Sequence, residues 1–280
     1  MKAYVLITGA AGGLGKAFAV ECASRGMDLF ITDIYEPSLR RLATGLHNTY
    51  GVDILFRTCD LSDAEDRERF VGEIRRMDIA FSGLINVAGL DFEGSFIKNT
   101  PQRFRTILRV NIESTVELTH EILALKDRAR PFRVINVSSL ASFYPMPYKA
   151  VYAASKRFVL DFSMALRQEL KKSGDTVTAL CPAGLPTTNE IIDSVNSQGF
   201  LGMLTTANIG GVAKKTVDMA VKGKAVVIPG AFNRFLFVLS RIFPASFLAM
   251  YIKRRWEKTY KRMARTNITG ESLVKSPIKV

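Results

Sequence analysis

Two kinds of apolar pattern alternate along the chain. Short, nearly continuous apolar runs end in glycine or polar turns, as strands buried on both faces do. They are Lys2–Thr8, Met27–Asp33, Val52–Arg57, Gly83–Val87, Phe132–Val137, Thr176–Cys181 and Ala225–Ile228. Between them the apolar positions recur at helical spacing, as Leu14, Phe18 and Cys22 do within 13–25, and Leu39, Leu42 and Leu46 within Pro37–Tyr50. Asp63–Met77, Pro101–Leu125, Val151–Lys172 and Ile209–Val221 are the other predicted helices, Pro101 suiting a first helical position. Strand and helix alternating in this way predict an α/β chain whose parallel sheet is covered on both faces.

Beyond the last predicted strand the pattern changes. Residues 1–230 are expected to form one domain, 231–265 an apolar and basic helical extension, and 266–280 a polar, disordered tail. Phe232–Ile252 is dense in aromatic and aliphatic side chains, and Lys253, Arg254, Arg255, Lys258, Lys261, Arg262 and Arg265 follow it. Pro244 interrupts its longest uncharged run, which is too short to span a bilayer. The formal net charge of the 280 residues is +13, and fifteen Lys and Arg but only three acids lie from residue 206 onward. The body is nearly neutral and the tail cationic.

Two readings of that tail stay open: an interfacial contact with the inner membrane surface, or a helix on a neighbouring subunit with a solvated basic end. A basic patch could also attract an acidic acyl carrier. Nucleic acid is not expected, because no nucleic-acid-binding motif accompanies the charge. Cys22, Cys59 and Cys181 form no CxxC pair, so reduced buried thiols, a cytoplasmic setting and no metal are expected.

Thr8-Gly9-Ala10-Ala11-Gly12-Gly13-Leu14-Gly15 lies between a predicted strand and a predicted helix. Glycines there let the backbone approach a pyrophosphate, and the helix start offers N–H groups and a positive dipole end. Asp33 ends the second predicted strand. A carboxylate at that place accepts hydrogen bonds from ribose hydroxyls and repels a 2′-phosphate, which favours NAD over NADP. These features predict a Rossmann-type, doubly wound sheet of about seven strands.

Tyr152 and Lys156 stand at i and i+4 of a predicted helix and so share one face. An ammonium beside a phenol favours the phenolate and makes it usable in proton transfer near neutral pH. YxxxK alone is frequent by chance. Here Ser139 precedes it by thirteen residues, at the C-terminal edge of the sheet where such folds bind ligands. Asp60-Leu61, Asn86-Val87-Ala88-Gly89 and Asn111 complete an ordered set with Thr8–Gly15 and Asp33.

In that set the chain resembles the short-chain dehydrogenase/reductase superfamily, over roughly residues 3–190 and the helix and strand to about 228. The resemblance implies an NAD(P)-dependent oxidoreductase acting on an alcohol or ketone. Tyr152 would be the acid/base, and Ser139 would hold the substrate oxygen. Lys156 would hold the nicotinamide ribose and lower the Tyr152 pKa. Asn111 would support Lys156 through a water.

The resemblance also implies a nucleotide site of Thr8, Gly9, Gly13, Leu14, Gly15, Asp33, Asp60, Leu61, Asn86, Ala88, Gly89, Tyr152, Lys156, Pro182 and Thr187. Val87 departs from the usual Asn-Asn-Ala-Gly, and Ala183 from the usual Pro-Gly pair. Residues 188–206 would form a lid. Phe143 and Tyr144, with apolar residues of the lid, would make a largely apolar substrate pocket. Members of the family are usually homodimers or homotetramers. An NADP-dependent 3-oxoacyl reductase and a non-catalytic dinucleotide-binding sensor or scaffold remain as alternatives.

Overall fold

The computed structural model describes residues 2–184 and 208–265, the last eight of these by backbone only. Thr187, the lid segment 188–206 and the tail 266–280 lie outside the described residues. Seven strands form one parallel sheet: β1 (Ala3–Thr8), β2 (Leu29–Asp33), β3 (Ile54–Thr58), β4 (Ala80–Asn86), β5 (Arg133–Val137), β6 (Thr176–Leu180) and β7 (Val226–Val227). Their spatial order is β3-β2-β1-β4-β5-β6-β7. The chain reverses its direction of travel across the sheet at β1, so the C-terminal ends of β1 and β4 frame a crevice.

Strand burial explains the continuous apolar runs. Leu6, Ile7, Leu29, Phe30, Ile31 and Leu84 are wholly buried. Odd and even positions face two separate cores. On one face α1 (Gly13–Ser24), α2 (Glu36–Tyr50) and α7 (Ile209–Val221) pack around Ile7, Phe18, Ile31 and Leu39. On the other, α3 (Ala64–Arg76) and α5 (Ser114–Ala124) bring Phe70, Ile74, Leu118 and Ile122 against Leu6, Phe30 and Leu84. The helix α6 (Ala150–Glu169) covers β5 and β6 on this second side.

Two predicted elements differ in the structure. The fourth strand begins at Ala80 rather than Gly83, because Tyr4 and Phe81 pair across the sheet before a register shift. The single helix read over 101–125 is two helices, α4 (Pro101–Leu108) and α5, joined by one wide π-helical turn at Arg109–Glu113. Such turns splice an extra residue into a helix and commonly sit at functional sites.

After β7 the chain forms α8 (Ala231–Ile242) and α9 (Ala245–Arg265). Both return to the chain's own body. The Phe237 ring of α8 meets Phe143 at 4.5 Å, and Trp256 of α9 lies 6.0 Å from Lys149 Nζ. Of the described helices none is long and apolar enough to cross a membrane. The three cysteines are free and buried.

Candidate active site

The crevice begins at the glycine turn. Gly12 caps α1 without a side-chain hydrogen bond, and no acid occupies the first helical turn. The first N–H groups of α1 therefore have no side-chain partner. Gly15 sits so close to the preceding turn that a Cβ there would lie 2.0 Å from Gly9 O. Only bare backbone fits, which leaves Gly13 and Leu14 at the helix start as the surface an anion would meet. These residues fit the diphosphate of a dinucleotide.

Asp33 braces that turn. Its Oδ2 accepts from Ala11 N at 2.9 Å and its Oδ1 from Ile34 N at 2.8 Å. The carboxylate is half-buried at the end of β2, beside the mouth of the cradle. Thr8 is buried, and its Oγ1 accepts from Val87 N and Ala88 N at 3.1 and 3.2 Å. Asn86 is buried too, and its Nδ2 donates to Thr119 Oγ1 and to Asn136 Oδ1. Thr8 thus acts on the crevice through the backbone it holds, and Asn86 by tying β4 to β5 and α5 beneath it.

Asp60 Oδ1 accepts from Ser62 N at 2.8 Å, forming a tight turn after β3. The buried Leu61 is fixed by its carbonyl, which accepts from Arg67 Nη1 at 2.8 Å. Arg67 is wholly buried and also reaches Glu117 and Glu113, so α3 and α5 clamp this end of the crevice.

The second cluster lies where β5, α6 and the π turn converge. Ser138 Oγ donates to Lys156 O at 2.7 Å and so belongs to the wall. Ser139 starts the short 3-10 turn Leu140–Phe143, its Oγ accepts from Ala141 N at 3.1 Å, and the hydroxyl lies near enough to the Tyr152 phenol to favour its ionised form. Lys156 is buried, and its Nζ donates to Val137 O at 2.9 Å. Gly89 makes room for it, since a Cβ at Gly89 would lie 2.9 Å from Lys156 Nζ.

The π turn aims Asn111 into the same place. Its Oδ1 accepts from Leu90 N at 2.8 Å, and its Nδ2 donates to Leu90 O and to Ser155 Oγ. Asn111 therefore positions the loop after β4 and the helix that bears Lys156 by direct bonds. Pro182 is buried beside them, its carbonyl accepting from Leu140 N at 2.7 Å.

Electrostatics differ from the expectation at one residue. The resemblance implies that Lys156 lowers the Tyr152 pKa; instead burial pushes Tyr152 up to about 12, and the Asp91 charge adds to that. Ser139 and Lys149 act in the opposite direction, too weakly to reverse it. Lys156 cannot dominate because burial lowers its own pKa to about 8 and its ammonium turns to Val137 O.

Sequence reasoning missed three charged residues here. Lys149 Nζ meets Asp91 at 2.5 Å and Glu93 at 3.3 Å, and lies 5.9 Å from the Tyr152 ring centre. Burial alone would depress Lys149, but the two carboxylates hold it above the usual lysine value. Asp91 follows Gly89 by two positions and Lys149 precedes Tyr152 by three, so adjacency to the motifs was the available signal.

The proposed substrate side contains Phe143 and Tyr144, both half-buried. Burial raises the Tyr144 phenol to about 12, with Arg255 of α9 opposing it. An aromatic recess lined by Phe92, Phe96, Phe104, Tyr148 and Val151 adjoins the start of α6. Tyr148 holds a left-handed backbone with φ of 68°, sparsely populated for such a residue, immediately before the helix carrying Tyr152.

The family model for short chain dehydrogenase matches residues 3–195, and the chain belongs to that family. Human 17-beta-hydroxysteroid dehydrogenase type 3 is 29% identical over 189 residues, which cover 67% of this chain and 60% of the relative. The very-long-chain 3-oxoacyl-CoA reductase of Anas platyrhynchos is 31% identical over 188 residues, 65% of this chain and 59% of the relative. The chain thus spans about three fifths of the length of these curated relatives.

Among solved structures, a short-chain dehydrogenase from Sphingobium yanoikuyae in complex with NADPH superimposes with a TM-score of 0.72 at 27% identity. That match covers 82% of this chain and 88% of the other. A 7beta-hydroxysteroid dehydrogenase at 22% identity shares the fold, with a TM-score of 0.81 over 90% of this chain and 96% of the other.

Proposed function

We propose that this chain is a nicotinamide-dependent oxidoreductase interconverting an apolar alcohol and ketone, with NAD(H) as its cofactor. The observation that carries the reading is the convergence of Ser139, Tyr152, Lys156 and Asn111 on one crevice beside the bare backbone cradle. The nicotinamide, when bound, supplies or accepts the hydride.

This chain's residues do the rest. Tyr152 gives its phenolic proton to the substrate oxygen in reduction and takes it back in oxidation. Ser139 holds that oxygen in line with the phenol. Lys156 binds the nicotinamide ribose, and its charge beside the phenol favours ionisation once both face the same ligand. Asn111 positions Lys156 and the loop after β4. The cradle residues Thr8, Gly9, Gly13, Leu14 and Gly15, with Asp60, Leu61, Asn86, Ala88 and Gly89, bind or shape the adenosine half. Pro182 and Thr187 serve the nicotinamide half. Phe143 and Tyr144 offer the substrate an apolar surface. The assembled form is a homodimer or homotetramer, and the 232–265 region touches a membrane surface.

Asp33 supports NAD(H), because a carboxylate at the end of β2 accepts from ribose hydroxyls and repels a 2′-phosphate. A second reading is an NADPH-dependent 3-oxoacyl reductase. It is favoured by the structural neighbour described with NADPH and the relative named very-long-chain 3-oxoacyl-CoA reductase.

Fluorescence titration with NADH and NADPH separates the two. Tighter NADH binding, lost in Asp33→Ser, supports the first; tighter NADPH binding by the unaltered chain overturns it. Tyr152→Phe should bind the cofactor as before and lose about 100- to 10,000-fold in turnover. Unchanged turnover would sink the mechanism.

A further inference from the structure

The two C-terminal helices have an outer face that nothing in the described chain covers. On α8, Phe235, Val238 and Ile242 recur at helical spacing and are exposed, Ile242 by 69%. On α9, Phe247, Met250 and Tyr251 do the same. Phe243 and Phe247 stack at 5.4 Å across the Pro244 junction and join the two stripes. Exposed Arg234, Arg241 and Arg254 interleave with the apolar positions, and no acid occurs from 231 to 256.

A contiguous apolar face with cationic residues set into it fits one kind of partner. A second copy of this face would bring like charge against like charge. Anionic headgroups complement the arginines while the acyl region takes up the aromatic and aliphatic side chains. The inner faces of the same helices pack beside the crevice, through Phe237 on Phe143 and Trp256 near Lys149. A surface held by the outer face therefore lies next to the substrate side.

We propose that the outer faces of α8 and α9 dock this chain on an anionic lipid surface, so that apolar substrate reaches the Ser139–Tyr152 crevice from the bilayer. The docking stands on the exposed face alone; the substrate route rests on the oxidoreductase reading above.

The full chain is sedimented with phosphatidylcholine vesicles and with phosphatidylcholine–phosphatidylserine vesicles, at low and high salt. Expected are partitioning at least about ten-fold stronger with the anionic vesicles, and weakening by salt. The triple variant Arg234→Gln, Arg241→Gln, Arg254→Gln should lose on the order of 100-fold in partitioning. The variant Phe235→Ser, Ile242→Ser should lose a similar factor, with its circular dichroism unchanged. Equal sedimentation with both vesicle types overturns the docking. So does a dimer in solution that both variants dissolve, since a second copy would then own the face.

Turnover is then read on a water-soluble ketone and on a long-chain ketone dissolved in anionic vesicles. The outer-face variants should keep the first rate and lose about ten-fold on the second. Equal effects on both overturn the substrate route. Vesicle binding without turnover of any ketone would uphold the docking while the oxidoreductase reading fails.

Discussion

The proposed cofactor side and the proposed substrate side of the crevice are built in different ways. The first is made of bare backbone, braced from beneath by side chains that hold peptide groups: the Gly9–Gly15 turn, Asp33 on Ala11 N, and Thr8 under Val87 and Ala88. The second is made of side chains brought from far apart, as when Phe237 meets Phe143 and Trp256 meets Lys149. A backbone cradle suits a ligand shared by a whole family. A side-chain wall can be rebuilt for each substrate without disturbing the cradle.

Perturbing each side separately tests that division. The largest effect is expected at their junction. Lys156→Met should reduce turnover about 1,000-fold yet stabilise the fold at pH 7 by about 2 kcal/mol, because a buried ammonium is costly. The sign follows from linkage. The folded Lys156 pKa is about 8 against the ordinary lysine value of 10.5, so the penalty is full below pH 8. It fades as pH rises toward 10.5, where the unfolded chain also loses the proton. Urea denaturation at about pH 7 and about pH 10 checks this: the gain over the unaltered chain should shrink with pH.

Gly15→Ala comes next. Its Cβ would meet Gly9 O at 2.0 Å, and NADH binding should weaken by about 100-fold, the collision being with backbone that cannot step aside. Fluorescence titration measures it, and binding within a few-fold of the original would mean the turn is looser than its geometry.

Arg67→Ala removes the clamp on Leu61 and leaves a carbonyl unpaired. A loss of about 2 kcal/mol in chemical denaturation is expected, below the fully buried case because both glutamates are half exposed.

The smallest effect belongs to the substrate wall. Phe237→Ala should raise the KM of a bulky ketone about five-fold, matching the ~1 kcal/mol of a lost aromatic pair. Its NADH affinity should stay the same; a parallel loss would show the two sides to be coupled.

That division also explains what could be read from the chain alone. Parallel strands buried on both faces leave continuous apolar runs, so the sheet was legible almost throughout. Thr8–Gly15, Asp33 and the Tyr152–Lys156 spacing were legible because each is local. The Asp91–Lys149 pair joins positions 58 apart, and no spacing announces it. The return of α8 and α9 to the body was also hidden, because Phe232–Ile252 carries apolar residues on inner and outer faces alike. Nor could periodicity reveal the π turn, since apolar positions before and after it still satisfy a helical pattern.

That turn has a further consequence. Within Arg109–Glu113 the chain holds one residue more than an ordinary helical turn needs, and Asn111 reaches Leu90 and Ser155 because of it. Deleting one residue there would restore regular winding but rotate α4 against α5 by roughly 100°, swinging Ile107 or Leu118 out of its core. The segment can exchange letters, but its length is a fixed gauge for the molecule, and insertions or deletions should be absent from it in any functional descendant.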